Sequence, residues 1–434
     1  MSLLAATVLL GQVAGLAPRI ESSQLNVSDR TEARYRSDPN FDHAFDTTTT
    51  LTSAISVTAP RVAYSIGYGL SIAGADLTHD ADRALAIMQT GRVGVTYARH
   101  RLGMTLALTG TYGTQVAVYL SAPVRLDLAG TGVGTPAGTQ PTGPGAPLPT
   151  WVPHTETLKT GSLGANAGFT YALTHRWTYG INANGLESGG LDFLSQRAVP
   201  PSRTVGGNMS LGYQLTREDT LTTRLGTSYI YVLHLPAYTS APFLKKNGYD
   251  LPNTPGGWFL DTDLYESWVH NFSKRTATSL GAGISFVHAD QTPGGTNDGF
   301  YAIGNASISY AQPLHDRARL TLAGTVAVTS TYNPVIATIQ HQGSVSAVAT
   351  WTWRKWVAGV SAAGASDLPV YAPYSSRVAS GTASVGYAPA EPVQIQVGAR
   401  INTQVLYDRY FGPAPPTDWT AFLAVLLLAP PLRL

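Results

Sequence analysis

The chain has 434 residues, of which 12% are charged, and its formal net charge at pH 7 is +2. Ordinary soluble domains carry about 25% charged residues, so this chain has too few charges to cover a soluble surface. The small net charge gives no reason to expect a nucleic-acid partner. The absence of cysteine is typical of a compartment in which thiols oxidise.

The sequence argues against transmembrane helices because no window beyond the N-terminus holds about 18 consecutive apolar residues. The 44 glycines and 22 tyrosines favour strands and tight turns. A chain with few charges and no long apolar run fits a transmembrane β-barrel. In such a barrel, lipid surrounds the outer face and water fills the inner face.

The first 20 residues, MSLLAATVLLGQVAGLAPRI, hold a short apolar run that ends in small residues. This pattern resembles a secretory signal peptide cleaved near Gly15 or Ala17. We therefore predict a signal peptide over residues 1–17 and a single barrel domain over residues 18–434. No Lys or Arg precedes the apolar run, so a plain apolar segment is the alternative.

A strict two-residue period follows, and residues 161–185 show it well. From Leu163 to Leu173 every second residue is apolar or aromatic, and the residues between them are polar or small. After a break at 174–176 the pattern resumes with Trp177 and Tyr179. A period of two predicts β-strands that each have one apolar face.

Breaks of two sizes divide the alternation from about residue 24 to the end of the chain. Short breaks fall at 59–61, 99–101, 174–176, 216–219, 273–275, 314–317, 354–355 and 389–392. Long breaks fall near 37–44, 73–88, 119–159, 187–203, 234–256, 289–298, 332–341, 366–378 and 409–418. Because the sizes alternate, we predict an all-β, antiparallel, up-and-down barrel of about 18 strands, within a range of 16–18. Short turns would then face the periplasm and long loops the exterior.

Aromatic residues cluster near the predicted strand ends, as the two membrane interfaces require. They include Trp177, Tyr179, Tyr229, Tyr231, Trp258, Trp268, Trp351, Trp353 and Trp356. The alternative is a large β-sandwich with aromatic residues in its core. That fold would leave too few charges for its outer surfaces.

The longest break, residues 119–159, contains a Gly/Pro/Thr-rich stretch over residues 128–149. Such low-complexity sequence does not form regular structure. We expect a solvated extracellular loop. The alternative is a segment that folds into the mouth of the barrel as a constriction.

The face opposite the apolar set is mainly Gly, Ser, Thr, Ala, Asn and Gln, punctuated by arginines, and we expect it to line the lumen. The candidate pore-lining residues are Arg30, Arg34, Arg36, Arg92, Arg224, Arg319, Arg354, Arg400, Gln394, Gln396, Asp261 and Asp263. Arginines favour anions or hydroxyl-rich solutes. The alternative is that they pair with lumenal carboxylates such as Glu32, or that Arg319 and Arg354 face periplasmic water near turns.

Residues that would indicate an enzyme are missing from the sequence. There is no HExxH, GxSxG or P-loop motif, so we expect neither catalysis nor a cofactor. Asp261 and Asp263 are two residues apart and face the same side of a strand. Two carboxylates without further acidic ligands make a poor Ca²⁺ site, so we interpret them as a lumenal acidic pair.

Over nearly all 434 residues, this pattern resembles the Gram-negative outer-membrane porins, particularly the 18-stranded polysaccharide-export and substrate-specific porins, and the sugar-specific porins are a third group that stays open. The resemblance implies an outer-membrane channel for polar solutes, with anionic and saccharide solutes both open. Its partners would be outer-membrane lipid, the solute and, for export, a periplasmic protein. The oligomeric state is open. The alternative function is a barrel that transports nothing and binds a periplasmic or surface partner.

Overall fold

The computed structural model describes residues 22–36, 44–75, 84–117, 156–192, 195–196, 201–233, 257–289, 298–314, 318–333, 338–368, 375–390, 392–407, 418–429 and 432–433. The predicted signal peptide and the Gly/Pro-rich stretch at 128–149 lie outside these residues. No helix in the described part is long and apolar enough to cross a membrane.

Strands account for most of the described chain. Their bounds are β1 Ser22–Arg36, β2 Ala44–Thr58, β3 Val62–Ala75, β4 Ala84–Arg99, β5 Leu102–Ala117, β6 Glu156–Ala172, β7 Trp177–Gly190, β8 Ser202–Gln214, β9 Asp219–Val232, β10 Gly257–Ser273, β11 Thr276–Ala289, β12 Gly299–Pro313, β13 Ala318–Asn333, β14 Thr338–Trp353, β15 Trp356–Leu368, β16 Ser375–Ala390, β17 Val393–Tyr407, β18 Asp418–Leu428 and β19 Leu432–Arg433.

The strands form one closed antiparallel sheet. Each long strand pairs with its neighbours in sequence, and β1 also pairs with β18, which closes the ring. The short β19 extends this seam by pairing with β1 at Leu25. The predicted 18-stranded, up-and-down, all-β barrel is confirmed. Closure leaves no unpaired strand edge among the 18 long strands.

Connections at one rim are uniformly short, and those at the other rim vary in length. Eight turns of two to four residues join β2 to β3 and every second pair thereafter. Two of these turns, at His100 (φ 37°) and Arg354 (φ 50°), place a non-glycine residue in the left-handed region, as is typical of tight two-residue hairpins.

The predicted strict alternation of long and short connections is wrong between β13 and β14. Only residues 334–337 separate these strands, and Asn333 is opposite Thr338 in the register. The 18 long strands contain 11 to 17 residues each, whereas about 9–11 residues suffice to cross a bilayer. Pairing therefore continues beyond the apolar band, where the alternation of side chains no longer marks a strand.

The outer face of the barrel wall is apolar and exposed. Directly opposed residues share a face, so Ile66, Val93 and Leu108 form one row across β3 to β5. Other members of this face, Leu163 and Val205, expose 65% and 63% of their surface. Such extensive apolar exposure is what a lipid-facing barrel surface requires.

Two tryptophans on β10 mark the height of this apolar band. Trp258 and Trp268 lie on the same face, ten residues apart. That separation is about 34 Å along a strand, or about 26 Å along the axis of a barrel whose strands tilt by about 40°. The value matches the roughly 25 Å band between the two aromatic girdles of membrane barrels.

Candidate pore lining

The inner face carries small polar side chains that bond across the strands. Ser28 and Thr52 lie 2.6 Å apart through their hydroxyl oxygens, and the hydroxyls of Thr111 and Ser162 lie 2.7 Å apart. Strand alternation brings these residues onto the face opposite the apolar rows. The result is a wall of hydroxyl groups facing the lumen.

Two of the predicted arginines share one carboxylate on β1. Arg30 Nη2 donates to Glu32 Oε2 at 2.9 Å, and Arg34 Nε donates to Glu32 Oε1 at 2.5 Å. The glutamate side chain is only 9% exposed. In the register, Arg34 is opposite Phe422 of β18, so this cluster lies at the seam that closes the barrel. The side chain of Arg36 lies outside the described part of the chain.

A second cluster spans β9 to β12. Arg224 Nη2 donates to Asp263 Oδ2 at 2.7 Å, and its guanidinium carbon lies 5.2 Å from the centre of the Tyr265 ring. The Tyr265 hydroxyl donates to Asn305 Oδ1. Ser285 Oγ donates to Asp261 Oδ1 at 2.6 Å. Asp261 and Asp263 thus lie on one face, as predicted, and each has a different partner.

Arg92 and Arg400 lie on the inner face without a carboxylate partner among the described residues. Arg92 of β4 is exposed and is opposite Gly67. Arg400 of β17 is half-buried and is opposite Thr382. Gln394 and Gln396 occupy the same face of β17, where Gln396 Nε2 donates to Ser384 Oγ at 2.9 Å.

The last two predicted arginines lie at the short-turn rim. Arg319 is the second residue of β13 and is exposed. Arg354 lies in the turn at 354–355, with its guanidinium carbon 5.2 Å from the ring centre of Trp353. We therefore correct the assignment of Arg354 to the inner wall, because a turn residue has no place in the strand alternation.

The inner charges fall on opposite walls of the ring. Among the described inner-face side chains of β1, β2, β4 and β17, the four arginines Arg30, Arg34, Arg92 and Arg400 outnumber the two carboxylates Glu32 and Asp46, which gives 4 − 2 = +2. On β9 and β10, Arg224 faces Asp261 and Asp263, which gives 1 − 2 = −1. Since β1 and β10 are nine strands apart in an 18-stranded ring, the two groups face each other across the lumen.

An apolar cluster on the inner face was missed by the sequence analysis. It lies near the long-loop rim and consists of Ile230, Val232, Phe259, Val287 and Ala289, with Tyr301 packed against it. Phe259 is 2% exposed and Val287 is fully buried. Apolar residues were assigned outward, a rule that holds only where lipid contacts the wall.

Tyr265 was not predicted on the inner wall, and no individual asparagine was named as a candidate from the sequence. Tyr265 was overlooked because aromatic residues were expected on the outer face. Its spacing of two and four residues from Asp263 and Asp261 was the available signal, since it shares their face. Asn182 and Asn208 were on the predicted polar face and are directly opposed in the structure.

A closed ring of 18 antiparallel strands, apolar outside and polar inside, is the architecture of transmembrane β-barrels. No family model matches the sequence, and no curated protein matches it.

The barrel is similar to several solved structures. The FrpB iron transporter of Neisseria meningitidis (F3-3 variant) aligns with a TM-score of 0.47 at 10% identity, covering 93% of this chain and 81% of that one. OprD of Pseudomonas aeruginosa aligns at 0.42 and 11% identity, covering 96% and 97%. OccAB2 of Acinetobacter baumannii aligns at 0.44 and 11% identity, covering 95% and 100%. The fold assignment rests on the chain's own strand pairing.

Proposed function

We propose that the chain is a bacterial outer-membrane channel that passes polar solutes through an aqueous lumen. The observation that carries this proposal is the reversed polarity of the closed barrel, with exposed apolar rows outside and hydroxyl rows inside. Eighteen strands at 4.8 Å spacing and about 40° tilt give a ring about 36 Å across between backbones. Small inner side chains do not fill a ring of that width.

Arg92 and Arg400 support a preference for anionic or hydroxyl-rich solutes. Neither guanidinium has a carboxylate partner among the described residues, so both remain available to a solute. Arg30 and Arg34 contribute less, since they share Glu32. Amides such as Gln394 add hydrogen-bonding groups that suit sugar hydroxyls.

Export of an acidic polysaccharide is the more specific form of this proposal. It draws on the net positive wall formed by β1, β2, β4 and β17, which would attract carboxylated sugar units along the lumen. A periplasmic partner would then deliver the polymer to the short-turn rim.

A barrel that transports nothing is the second candidate. The buried apolar cluster around Phe259 and Val287 favours it, because that part of the inner wall is closed to water. Such a barrel would instead present its rims to a periplasmic or surface partner.

Planar-bilayer recording of the purified protein separates the two candidates. A channel gives stepwise ion currents, whereas a scaffold gives none. For the channel, changing Arg92→Gln and Arg400→Gln together should shift the reversal potential under a salt gradient towards cation preference. The matched control is Arg354→Gln at the rim, which should leave the reversal potential unchanged. An unaltered anion preference in the double variant contradicts the assigned role of these arginines.

A further inference from the structure

The Tyr265 ring lies along the inner wall instead of projecting from it. The position directly opposite it on β11 is Gly283, where a methyl group would come within 2.9 Å of Tyr265 Cδ2. A methyl group at Gly281, opposite Ser267, would collide with the Tyr265 hydroxyl. The hydroxyl reaches across β11 to Asn305 on β12. Because the ring spans a strand that has no side chains there, one of its faces is turned towards the lumen.

Planar polar groups surround this ring. The Asp263 carboxylate lies over Gly226, where the absence of a side chain leaves room for it. The same carboxylate accepts a hydrogen bond from Arg224 and so holds the guanidinium beside the Tyr265 ring. One row across the wall runs from Asn182 to Asn208, Gly226 and Asp263. At about 4.8 Å per strand, this row is about 14 Å long.

Two atoms in this region are buried without a hydrogen-bond partner, Arg224 Nε and Asn182 Oδ1. The first is a donor and the second is an acceptor. A buried polar atom left without a partner is energetically unfavourable, so a small side-chain rotation that brings either atom to a ligand group on the lumenal side would be favoured. A hydroxyl group can donate one hydrogen bond and accept another, which suits both atoms.

The charge of the site argues against an anion as its ligand. Arg224 is neutralised by Asp263, and Asp261 adds a further negative charge two residues away on the same face. The site instead matches a neutral sugar ring. The flat aromatic face would contact the C–H face of the sugar, and the amides and the ion pair would bind its hydroxyl groups, at a net charge of −1.

We propose that Tyr265, Arg224, Asp263, Asn182 and Asn208 form a binding site for neutral saccharides on the inner wall. This inference rests on the proposed channel function and names the solute class that the negative wall selects. It differs from the anion preference assigned above to Arg92 and Arg400, which lie on the other side of the ring.

Sucrose block of the ion current in planar bilayers tests the site. Sucrose should reduce the current with a saturable concentration dependence. A polyethylene glycol of similar hydrodynamic size should reduce it only in proportion to solution conductivity, and sodium gluconate should bind more weakly than sucrose. A linear effect of sucrose equal to that of the polymer, or stronger binding of gluconate, overturns the proposal.

Variants assign the block to the site. Asn182→Ala should raise the half-blocking sucrose concentration about fivefold, since a lost hydrogen bond is worth about 1 kcal/mol. Tyr265→Ala should raise it about tenfold or more, because the stacking face is removed. Tyr265→Phe keeps the ring and should stay within about threefold of the unmodified protein.

The matched control is Asn26→Ala, an inner-face asparagine on β1 across the lumen, which should leave the block unchanged. Equal block in Asn182→Ala, Tyr265→Ala and the control overturns the site. If the unmodified protein conducts ions but sucrose has no effect, only this inference fails. If it carries no current at all, the channel function fails as well.

Discussion

Replacing Glu32 with glutamine removes the carboxylate that Arg30 and Arg34 share at the seam between β1 and β18. Loss of one partner from a fully buried ion pair costs about 3–5 kcal/mol. Glu32 is 9% exposed, but each arginine side chain is 36% exposed, so water compensates part of the loss. We expect Glu32→Gln to lower the free energy of unfolding by about 2 kcal/mol.

The same change alters the lumen, because the charge on this wall rises by one unit. Urea unfolding in detergent micelles, followed by tryptophan fluorescence, measures the stability. The reversal potential under a KCl gradient should move further towards anion preference. The control is Glu187→Gln, which disrupts the exposed Glu187–Arg203 pair (62% and 70% exposed). It should cost less than about 1 kcal/mol. Equal stability of the two variants, with no change in reversal potential, would refute the reasoning.

Two further pairs of variants test the barrel itself. Val397 is 57% exposed on the outer face, so Val397→Arg should destabilise the barrel in lipid vesicles by about 2–4 kcal/mol. Ser361→Arg, on the inner face, should change conductance and leave stability almost unaltered. A methyl group at Gly398 would lie 2.6 Å from the Ala383 carbonyl oxygen, so Gly398→Ala should lower the free energy of unfolding by about 1–3 kcal/mol. A methyl group at Gly91 would have no atom within 4 Å, so Gly91→Ala should leave the free energy of unfolding unchanged in the same urea titration.

The strand number and the outer rows could be predicted because lipid imposes a strict two-residue pattern. Every second residue from Val393 to Ile401 is large and apolar or an alanine, so the phase of β17 is evident from the sequence. The Arg30–Glu32–Arg34 cluster was also accessible, since residues two apart on one strand share a face.

The remaining contacts depend on the register between strands, which alternation does not specify. Arg224 and Asp263 are 39 residues apart and meet because β9 and β10 pair in one particular offset. An offset of one residue would turn Asp263 towards lipid. Phe259 and Val287 were unpredictable for another reason. Near the long-loop rim the outer face no longer meets hydrocarbon, so an apolar side chain there does not reveal its direction.

The row of arginines in the sequence therefore becomes two unlike walls in the fold. The described side chains present a net charge of +2 on one side of the lumen and −1 on the other, so the attraction of an anion to Arg92 and Arg400 is partly offset by Asp261 and Asp263. A neutral, hydroxyl-rich solute is not repelled by these two aspartates. The two-wall arrangement thus predicts weak anion preference together with saturable sugar binding, and a strongly anion-selective pore without sugar block would contradict it.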